Sequence, residues 1–264
     1  MTTEILHEHA QPKREFVTPS ANALIRCEAL EKWYGSVHAL TGIDFHAEPG
    51  EIVGLVGDNG AGKSTLIKIL SGAEQQTSGR IFFDGKEVRL TSPKVAMHLG
   101  IETIYQYTAM VPQMSIARNM FIGREPLTGF RIGGIGLMDQ RAMVEHATRS
   151  MTNIDLTRRS PNTTVEELSG GQRQAVAIAR AMYFKSKLLI LDEPTNHLSV
   201  KETNKVLDYV ASLKEQGIGS IFISHNLHHI YPIADRIVAM ARGAKIADIR
   251  KTDTSIDDMT DMIV

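Results

Sequence analysis

The sequence predicts an α/β fold in which a mostly parallel sheet is covered by helices on both faces. Apolar runs alternate with helical runs: "GEIVGLVG", "KSTLIKILSG", "KLLILD", "VKETNKVLDYVASLKEQ" and "GSIFIS". This alternation is typical of βαβ units, whose crossover helices bury parallel strands on both sides. Two polar stretches follow strands, the glycine-rich "GDNGAGKST" and the acidic "DEP". Both predict a site at the carboxyl ends of the strands.

Length and composition are those of an ordinary globular chain. The 264 residues carry a net charge of -1 and are 42% hydrophobic and 22% charged, which does not favour nucleic-acid binding. The single cysteine, Cys27, allows no internal disulfide. We find no apolar run of roughly 18 residues, so no membrane span is expected. Residues 1–22 are polar, lack a secretory h-region and are expected to form a flexible tail.

The first part of the chain contains short strands and one well-delimited helix. "ALIRCEALEKWY" and "GIDFHAEPGEIVGLVG" hold β-compatible runs, and "GRIFFDGKEV" predicts two strands joined by a turn at Asp84–Gly85. "LTSPKVAMHLG" predicts a helix with Pro93 in its first turn and Gly100 beyond its end. "IETIYQ" predicts another strand.

The middle of the chain differs in pattern. From about residue 107 to 165 it is mostly helical and rich in methionine, interrupted by "TGFRIGGIGLMD", which predicts an inserted helical lobe. A helix over "GGQRQAVAIARAMYF" follows. The last stretch, "RIVAMARGAKIADIRKTD", predicts strand, turn and strand before a short acidic end.

"GDNGAGKST", from Gly57 to Thr65, fits the phosphate-binding pattern G-x-x-x-x-G-K-[ST] and lies between a strand and a helix. Its glycines let main-chain N–H groups turn toward phosphate oxygens, and the helix adds its positive N-terminal end. Lys63 can reach the β- and γ-phosphates, and the Ser64 hydroxyl can ligate Mg²⁺.

The acidic pair supplies a second half of the site. Asp192 ends the buried run "KLLILD", where it can hold Mg²⁺ through water. Glu193 points elsewhere and can orient or deprotonate an attacking water. The two carboxylates therefore have different expected roles.

Three motifs together give the chain a family resemblance. "GDNGAGKST", "LSGGQ" (168–172) and "LILDEPT" resemble the ATP-binding subunit of ABC transporters, from about Ala23 onward. The resemblance implies a P-loop NTPase (RecA-like) core with an antiparallel β subdomain and an inserted α-helical subdomain. The implied ATP-binding domain is 23–264, with the core at about 23–106 and 166–264 and the helical subdomain at about 107–165.

The resemblance also implies a pair of copies arranged head to tail around two ATP molecules with Mg²⁺. The "LSGGQ" residues would face the γ-phosphate bound by the partner copy: Ser169, Gly170, Gly171 and Gln172. The residues implied to bind ATP in the same chain are Tyr34, Gly57, Asn59, Gly60, Ala61, Gly62, Lys63, Ser64 and Thr65.

Three further positions match the family. Tyr34 in "EKWYG" corresponds to the aromatic residue that stacks on adenine, with Trp33 as a neighbouring candidate. Gln106 in "TIYQ" corresponds to the glutamine that senses Mg²⁺ and water, and His225 in "IFISHN" to the histidine that contacts the γ-phosphate and orients Glu193. The implied metal ligands are thus Ser64, Gln106 and Asp192. The adjacent histidines at 228 and 229 are expected to have no special role.

The class of ATPase is indicated by the middle of the chain. "SPKVAMHLGIETIYQ" and "MVPQMSIARNMFIGREP" resemble the ATP-binding subunits of monosaccharide (ribose/xylose/fructose-type) importers, here with a single ATPase domain. "DEPTNHL" favours an alternative, a soluble ABC-type ATPase acting on ribosomes. Against that alternative stand the single ATPase half and the absence of basic excess.

An importer subunit implies partners. These are a second copy of the chain, integral membrane permease subunits, and indirectly a periplasmic sugar-binding protein, with the chain peripheral on the cytoplasmic face of the membrane. The apolar residues of "YTAMVPQMSIARNMF" either line a groove for a permease helix or form the core of the lobe. The transported sugar is not encoded in this chain.

Two positions depart from the family pattern. Tyr107 stands where sugar importers usually have an acid. Ser199 stands where many ABC ATPases have an aspartate that crosses to the other copy, so communication between the two sites is in doubt. Neither departure removes Lys63, Glu193 or His225, so hydrolysis is still expected.

Overall fold

Twelve strands and eight α-helices are found in the part of the chain that the computed structural model describes, residues 16–105, 110–132 and 135–263. The strands are β1 (Ile25–Tyr34), β2 (Val37–Ala47), β3 (Ile52–Val56), β4 (Ser78–Phe83), β5 (Lys86–Val88), β6 (Ile101–Ile104), β7 (Leu127–Ile132), β8 (Ile135–Met138), β9 (Leu188–Asp192), β10 (Gly219–Ile223), β11 (Arg236–Ala241) and β12 (Ala244–Arg250). The helices are α1 (Lys63–Leu70), α2 (Pro93–Leu99), α3 (Ile116–Phe121), α4 (Gln140–Thr152), α5 (Gly170–Tyr183), α6 (Val200–Glu215), α7 (Leu227–Ile230) and α8 (Ile256–Ile263).

The central sheet has six strands in the order β12-β11-β3-β10-β9-β6. All neighbours pair in parallel except β11 and β12, which are antiparallel. Every residue of β3 and β10 is buried, as expected for parallel strands covered on both faces. The predicted α/β fold is confirmed.

A second, antiparallel sheet has the order β2-β1-β4-β5. The predicted turn between β4 and β5 is confirmed, with positive φ angles of 50° at Asp84 and 72° at Gly85. Leu30 and Phe45 of this sheet belong to the same buried cluster as Leu66 and Ile67 of α1. The helix that follows the glycine loop is therefore packed between the two sheets.

A buried ionic network joins the two sheets. The Arg236 side chain, 2% exposed, donates from Nε to Glu51 at 2.7 Å and from Nη1 to Asp248 at 2.6 Å. Its Nη2 reaches the carbonyl oxygen of His46, on β2, at 2.6 Å. Lys245 contributes a second cation to Asp248 at 2.9 Å. Each buried charge thus has an opposite charge and hydrogen bonds, as the cost of desolvation requires.

The segment from 110 to 165 holds the largest difference from the sequence expectation. Helices α3 and α4 are present, but the glycine-rich stretch between them forms the antiparallel hairpin β7–β8, in which Leu127 pairs with Met138. The two short runs in this stretch lack a regular alternation of apolar and polar residues, so no hairpin was predicted there. Met120 and Phe121 are 1% exposed and belong to the core of this lobe. For these residues the core interpretation is the correct one.

The ends of the chain add smaller features. Val17 donates its main-chain N–H to Asp248, and the Ser20 hydroxyl donates to Glu48 at 2.7 Å, so residues 16–22 lie against the sheets. The acidic end forms α8, whose Met259 is fully buried. None of the helices in the described ranges is long and apolar enough to span a bilayer.

Candidate active site

The glycine loop has a conformation that only glycine can adopt at its first position. Gly57 follows β3 with φ 143°, and a Cβ there would lie 2.2 Å from the carbonyl oxygen of Met240. Gly62 precedes α1 with φ 101°, and a Cβ there would lie 2.9 Å from Leu40. The glycines therefore allow the loop to turn tightly between strand and helix against β11 and β2.

Lys63 lies across this loop. Its ammonium group donates to the carbonyl oxygens of Gly57 at 2.5 Å and Asp58 at 3.0 Å. Burial lowers the pKa of Lys63, while the negative charges of Glu193 and Asp192 act in the opposite direction. The lysine and the acidic pair are thus close enough to interact, as the sequence predicted for two halves of one site.

The loop opens into a cleft of about 490 Å³, a size typical of ligand sites. Its lining comes from the glycine loop, the start of β2 and the β11–β12 turn: residues 58–65, Val37, His38, Ala39, Arg242 and Gly243. Seven of the predicted ATP-binding residues, 59–65, line the cleft.

The aromatic side of the cleft differs from the expectation. His38 lines it and stacks on Trp33, with ring centroids 3.8 Å apart and planes 11° apart. The Tyr34 hydroxyl instead donates to the carboxylate of Glu74. A role of Tyr34 in stacking on adenine stays a prediction, and the structure adds His38, which the sequence reading did not select. Only the β1–β2 pairing, which sets Trp33 opposite His38, brings the two rings together.

The acidic pair follows the buried strand β9. Leu188 to Leu191 have no exposed surface, and Asp192 is half-buried at the strand end. Glu193 has φ 49°, a left-handed conformation that costs a residue with a side chain on the order of 1–3 kcal/mol. Its N–H donates to the carbonyl oxygen of Ile223 at 3.0 Å, and its own carbonyl accepts from Asn196 at 3.2 Å. These bonds hold the unusual conformation in place.

The two oxygens of the Glu193 carboxylate have different surroundings. Oε1 accepts from the main-chain N–H of His225 at 3.0 Å and lies 3.0 Å from the Nδ1 of the same residue. Oε2 is buried without a hydrogen-bond partner among the described residues. A buried carboxylate oxygen of this kind needs a partner, and an attacking water is one that fits.

The charge state of Asp192 reflects the same environment. Burial raises the pKa of its carboxyl group, the neighbouring Glu193 raises it further, and Lys63 lowers it. Burial is the largest of these effects, so the pKa of Asp192 lies above its usual value, and a cation bound in the cleft would favour its ionised form.

Strand order explains why these residues meet. β10 lies between β3 and β9 in the sheet, and all three are parallel. The glycine loop follows β3, His225 follows β10 and Glu193 follows β9, so all three lie at one edge. Gln106, predicted to join them, lies outside the described residues.

The "LSGGQ" residues form the start of α5. Ser169 caps this helix: its hydroxyl accepts from the N–H of Gln172 at 3.3 Å, and its N–H donates to the Gln172 side chain at 3.1 Å. A Cβ at Gly170 would lie 2.7 Å from Leu198, and one at Gly171 would lie 2.8 Å from the Cβ of Glu202. The glycines thus let α6 and the loop before it pack directly on the first turn of α5.

The same residues border a different cavity from the glycine loop. Ser169, Gly171 and Gln172 line a space of about 180 Å³ between α5 and α6, together with Lys201 and Lys205. None of the residues lining the glycine-loop cleft takes part in it. The structure does not bring the two predicted ATP-contacting surfaces of one chain together.

Ser199 has a clear structural role. It caps α6, accepting from the N–H of Glu202 at 3.4 Å, while its own N–H donates to the Glu202 carboxylate at 3.1 Å. Hydrogen bonds from Ser169 and then Ser199 lower the pKa of Glu202 to about 2. Ser199, which stands where many family members have an aspartate, therefore forms the N-cap of α6.

His229 is a residue that sequence reasoning missed. Its ring lies between Thr195, two residues after Glu193, and Asn226, next to His225. Its position four residues after His225 was the only signal in the sequence, and the expectation of no special role was made without the contact to Thr195.

Comparisons with known proteins agree with this geometry. Residues 40–196 match the ABC transporter family. The xylose/arabinose import ATP-binding protein of Sulfolobus acidocaldarius is 41% identical over 240 residues, covering 91% of this chain and 93% of that protein. The fructose import ATP-binding protein of Rhizobium meliloti is 42% identical over 237 residues, covering 89% and 91%. A crystal structure of an ATP-binding cassette of an ABC transporter in its ADP conformation superposes with a TM-score of 0.77 at 26% identity, covering 90% of this chain and 94% of that one.

Proposed function

The chain belongs to the ABC transporter family, and from that premise we propose that it binds and hydrolyses ATP to power a membrane importer of a monosaccharide. The observation that carries the proposal is the placement of Glu193 against His225 at the sheet edge where the glycine loop opens. The groups proposed to bind phosphate and to activate water follow three neighbouring parallel strands there, which supports phosphoryl transfer to water.

The glycine loop and the start of α1 would bind the phosphates. The main-chain N–H groups of the loop and the positive end of the helix favour an anion, and Lys63 adds a full charge. Its ammonium group already makes two bonds to loop carbonyls, which γ- and β-phosphate oxygens would replace with stronger ones. His38 and its stacking partner Trp33 offer an aromatic surface beside the cleft, with Tyr34 as the residue proposed from the family pattern.

The donor set fits Mg²⁺. Ser64 supplies a hydroxyl and Asp192 a carboxylate, which are hard oxygen ligands. Among the described residues, no group of three or more Asp, Glu, His or Cys side chains could hold a metal ion without further ligands. Magnesium usually binds through one or two protein oxygens and completes its shell with phosphates and water. When bound, the ion would neutralise charge on the phosphates. Gln106 is proposed as a further ligand from the family pattern.

Hydrolysis requires a base beside the terminal phosphate. Glu193 Oε2, which has no hydrogen-bond partner among the described residues, would take a proton from a water molecule while the water oxygen attacks the γ-phosphorus and ADP leaves. His225 contacts the other carboxylate oxygen through its main-chain N–H and its ring Nδ1, and its side chain is 68% exposed. Glu193 is the proposed catalytic base, and His225 positions it.

A complete site is proposed to need two copies. The start of α5 is a second anion-favouring helix end, and it borders a cavity that is separate from the glycine-loop cleft. Ser169, Gly170, Gly171 and Gln172 would therefore contact the ATP held by another copy of the chain. The proposed assembly also contains permease subunits in the membrane and, acting through them, a periplasmic sugar-binding protein. In it, this chain lies on the cytoplasmic face of the membrane.

The sugar assignment is supported by the two relatives, which are import proteins for xylose or arabinose and for fructose. The alternative, a soluble ATPase acting on ribosomes, finds no support in them. Which sugar is carried depends on other subunits.

The test is to express the tagged chain in cells and separate membranes from ribosomes before measuring ATP hydrolysis in each fraction. We expect the chain and its ATPase activity in the membrane fraction, and we expect a permease to co-purify with the tagged chain from that fraction. The Lys63→Ala variant is the control, with the same distribution and no ATPase activity. Recovery of the chain with ribosomes, and without a permease, would contradict the proposal that it powers an importer.

A further inference from the structure

We propose that His229 is a positioning residue for ATP hydrolysis that acts as the neutral imidazole with its hydrogen on Nδ1, tying the loop of Glu193 to the loop of His225. The inference rests on the proposed function, because positioning matters only if those loops carry the hydrolytic groups. It adds a residue that neither the motifs nor the family pattern selected.

The ring bridges two loops that follow neighbouring strands. Nδ1 of His229 lies 3.0 Å from Oγ1 of Thr195, and Nε2 lies 3.2 Å from Nδ2 of Asn226. Thr195 is 4% exposed and follows Glu193 by two residues. Asn226 is the residue after His225. One imidazole therefore spans from the turn after β9 to the turn after β10.

The hydrogen-bonding groups define which tautomer fits. The Oδ1 of Asn226 accepts from the N–H of His228 at 3.0 Å, so its Nδ2, a donor, is the atom that faces His229. Nε2 must then accept and cannot carry a hydrogen. The remaining hydrogen is on Nδ1, where it donates to the Thr195 hydroxyl oxygen. Both bonds exist together only in the neutral Nδ1–H form.

Protonation would break this arrangement. A hydrogen on Nε2 would meet the amide donor of Asn226 and force one of the two loops to move. Burial lowers the pKa of His229, as does the positive charge of His225, with a smaller effect of His228, while Glu193 acts in the opposite direction. These are the charged groups that face the ring from both loops and from α7. The pKa of His229 is therefore lowered, so its ring stays neutral to a lower pH than that of an ordinary histidine.

The bridge matters because Glu193 has little other support. Its left-handed backbone is held by one bond to Ile223 and one to Asn196, and its carboxylate depends on His225. A shift of either loop relative to the other would change the distance between Glu193 and His225. A displacement of about 1 Å in a catalytic group can cost about 10²-fold in rate.

Three variants separate positioning from a merely structural role. His229→Gln offers an amide N–H to Thr195 and a carbonyl oxygen to Asn226, so it mimics the neutral tautomer and does not titrate. His229→Ala removes both bonds. His228→Gln is the matched control, because His228 is exposed and adjacent.

The measurement is the ATPase kcat and KM of the full chain from about pH 5.5 to about pH 8. We expect His229→Ala to lower kcat about tenfold at every pH with little change in KM, and His229→Gln to restore it to within about twofold above pH 7. At the acid end of the pH series His229→Gln should lose less activity than the wild type, and His228→Gln should follow the wild type.

A second measurement does not depend on activity. Nitrogen-15 NMR of histidine-labelled protein reports the tautomer of each ring, and His229→Gln identifies the resonance. We expect the Nδ1–H form for His229 near neutral pH. The Nε2–H form, a His229→Ala variant as active as the wild type, or an acid limb of His229→Gln that coincides with the wild type would overturn the proposal. A wild type that hydrolyses no ATP would overturn the proposed function as well, whereas an active wild type with any of those three results would overturn only the role of His229.

Discussion

The carboxylate of Glu193 meets His225 through a single oxygen, Oε1, which lies 3.0 Å from both the main-chain nitrogen and the ring Nδ1 of that histidine. An ionised carboxylate only accepts hydrogen bonds, so Nδ1 of His225 carries a hydrogen and Nε2 is directed elsewhere. Oε2 of the same carboxylate remains free within the buried site. One residue thus combines a fixed oxygen with a reactive one.

The reactive oxygen leads to the first prediction. Glu193→Gln keeps an acceptor for His225 but loses the basic oxygen, so ATP should still bind and kcat should fall about 10²–10⁴-fold. The bound ATP should also hold two copies together, which size-exclusion chromatography with ATP would detect. Glu215→Gln, at the exposed end of α6, is the control. Normal turnover in Glu193→Gln would show that another group is the base.

Lys63 gives a prediction about binding. Lys63→Ala removes the charge nearest to the loop carbonyls of Gly57 and Asp58, so the Kd for ATP should rise by at least about tenfold, which is about 1.4 kcal/mol. Calorimetry or a fluorescent nucleotide would measure it. Lys94→Ala, on the exposed surface of α2, should bind as the wild type does. Equal affinity in both variants would exclude Lys63 as a phosphate ligand.

The network around Arg236 gives a prediction about stability. Arg236→Ala leaves Asp248, which has no exposed surface, without its main partner, and should lower the free energy of unfolding by about 3–5 kcal/mol. Arg250 stands opposite Arg236 in the β11–β12 ladder but is exposed, so Arg250→Ala should change it by no more than about 0.5 kcal/mol. Urea titration compares the two. Similar losses would mean that the network contributes little.

Glu202 gives a prediction about pH. Hydrogen bonds from Ser169 and Ser199 lower its folded-state pKa to about 2, below the value of about 4.3 in an unfolded chain. The stabilisation is therefore present above the unfolded pKa and is lost as the pH falls toward the folded one. The melting temperature of Glu202→Gln should fall less than that of the wild type between about pH 5 and about pH 3. Parallel curves for the two proteins would contradict the contact with Ser169 and Ser199. Glu215→Gln should follow the wild type.

Local patterns predicted the parts of the fold in which neighbouring residues decide the structure. Pro93 and Gly100 delimited α2, and Asp84–Gly85 marked the turn between β4 and β5, because helix ends and tight turns depend on few residues. The hairpin β7–β8 was missed, since its pairing has a register shift and no regular alternation.

The residues of the candidate site also differ in whether they could be recognised from local sequence. Lys63, Asp192 and Glu193 stand in contiguous motifs, so their chemistry could be recognised from the sequence alone. His38 and His229 could not, because the ring of His38 meets Trp33 only through the pairing of β1 with β2, and that of His229 meets Thr195 only because β9 and β10 are neighbours. Ser199 was noted as a departure from a pattern, but its capping of α6 depends on the conformation of the preceding loop.

The place of β10 in the sheet has a consequence for the distance between two loops of the site. This strand lies between β3 and β9, and main-chain hydrogen bonds hold neighbouring strands about 4.7–4.9 Å apart, so the lysine-bearing loop and the acidic loop follow strands that are two such spacings apart. Phe222, fully buried in β10, belongs to the cluster in which the helices α5, α6 and α7 pack on this sheet, so truncating it would leave a cavity on that face and leave the main-chain pairing in place. The distance between the two loops is therefore a property of main-chain pairing, which substitutions in the hydrophobic core of the sheet leave unchanged.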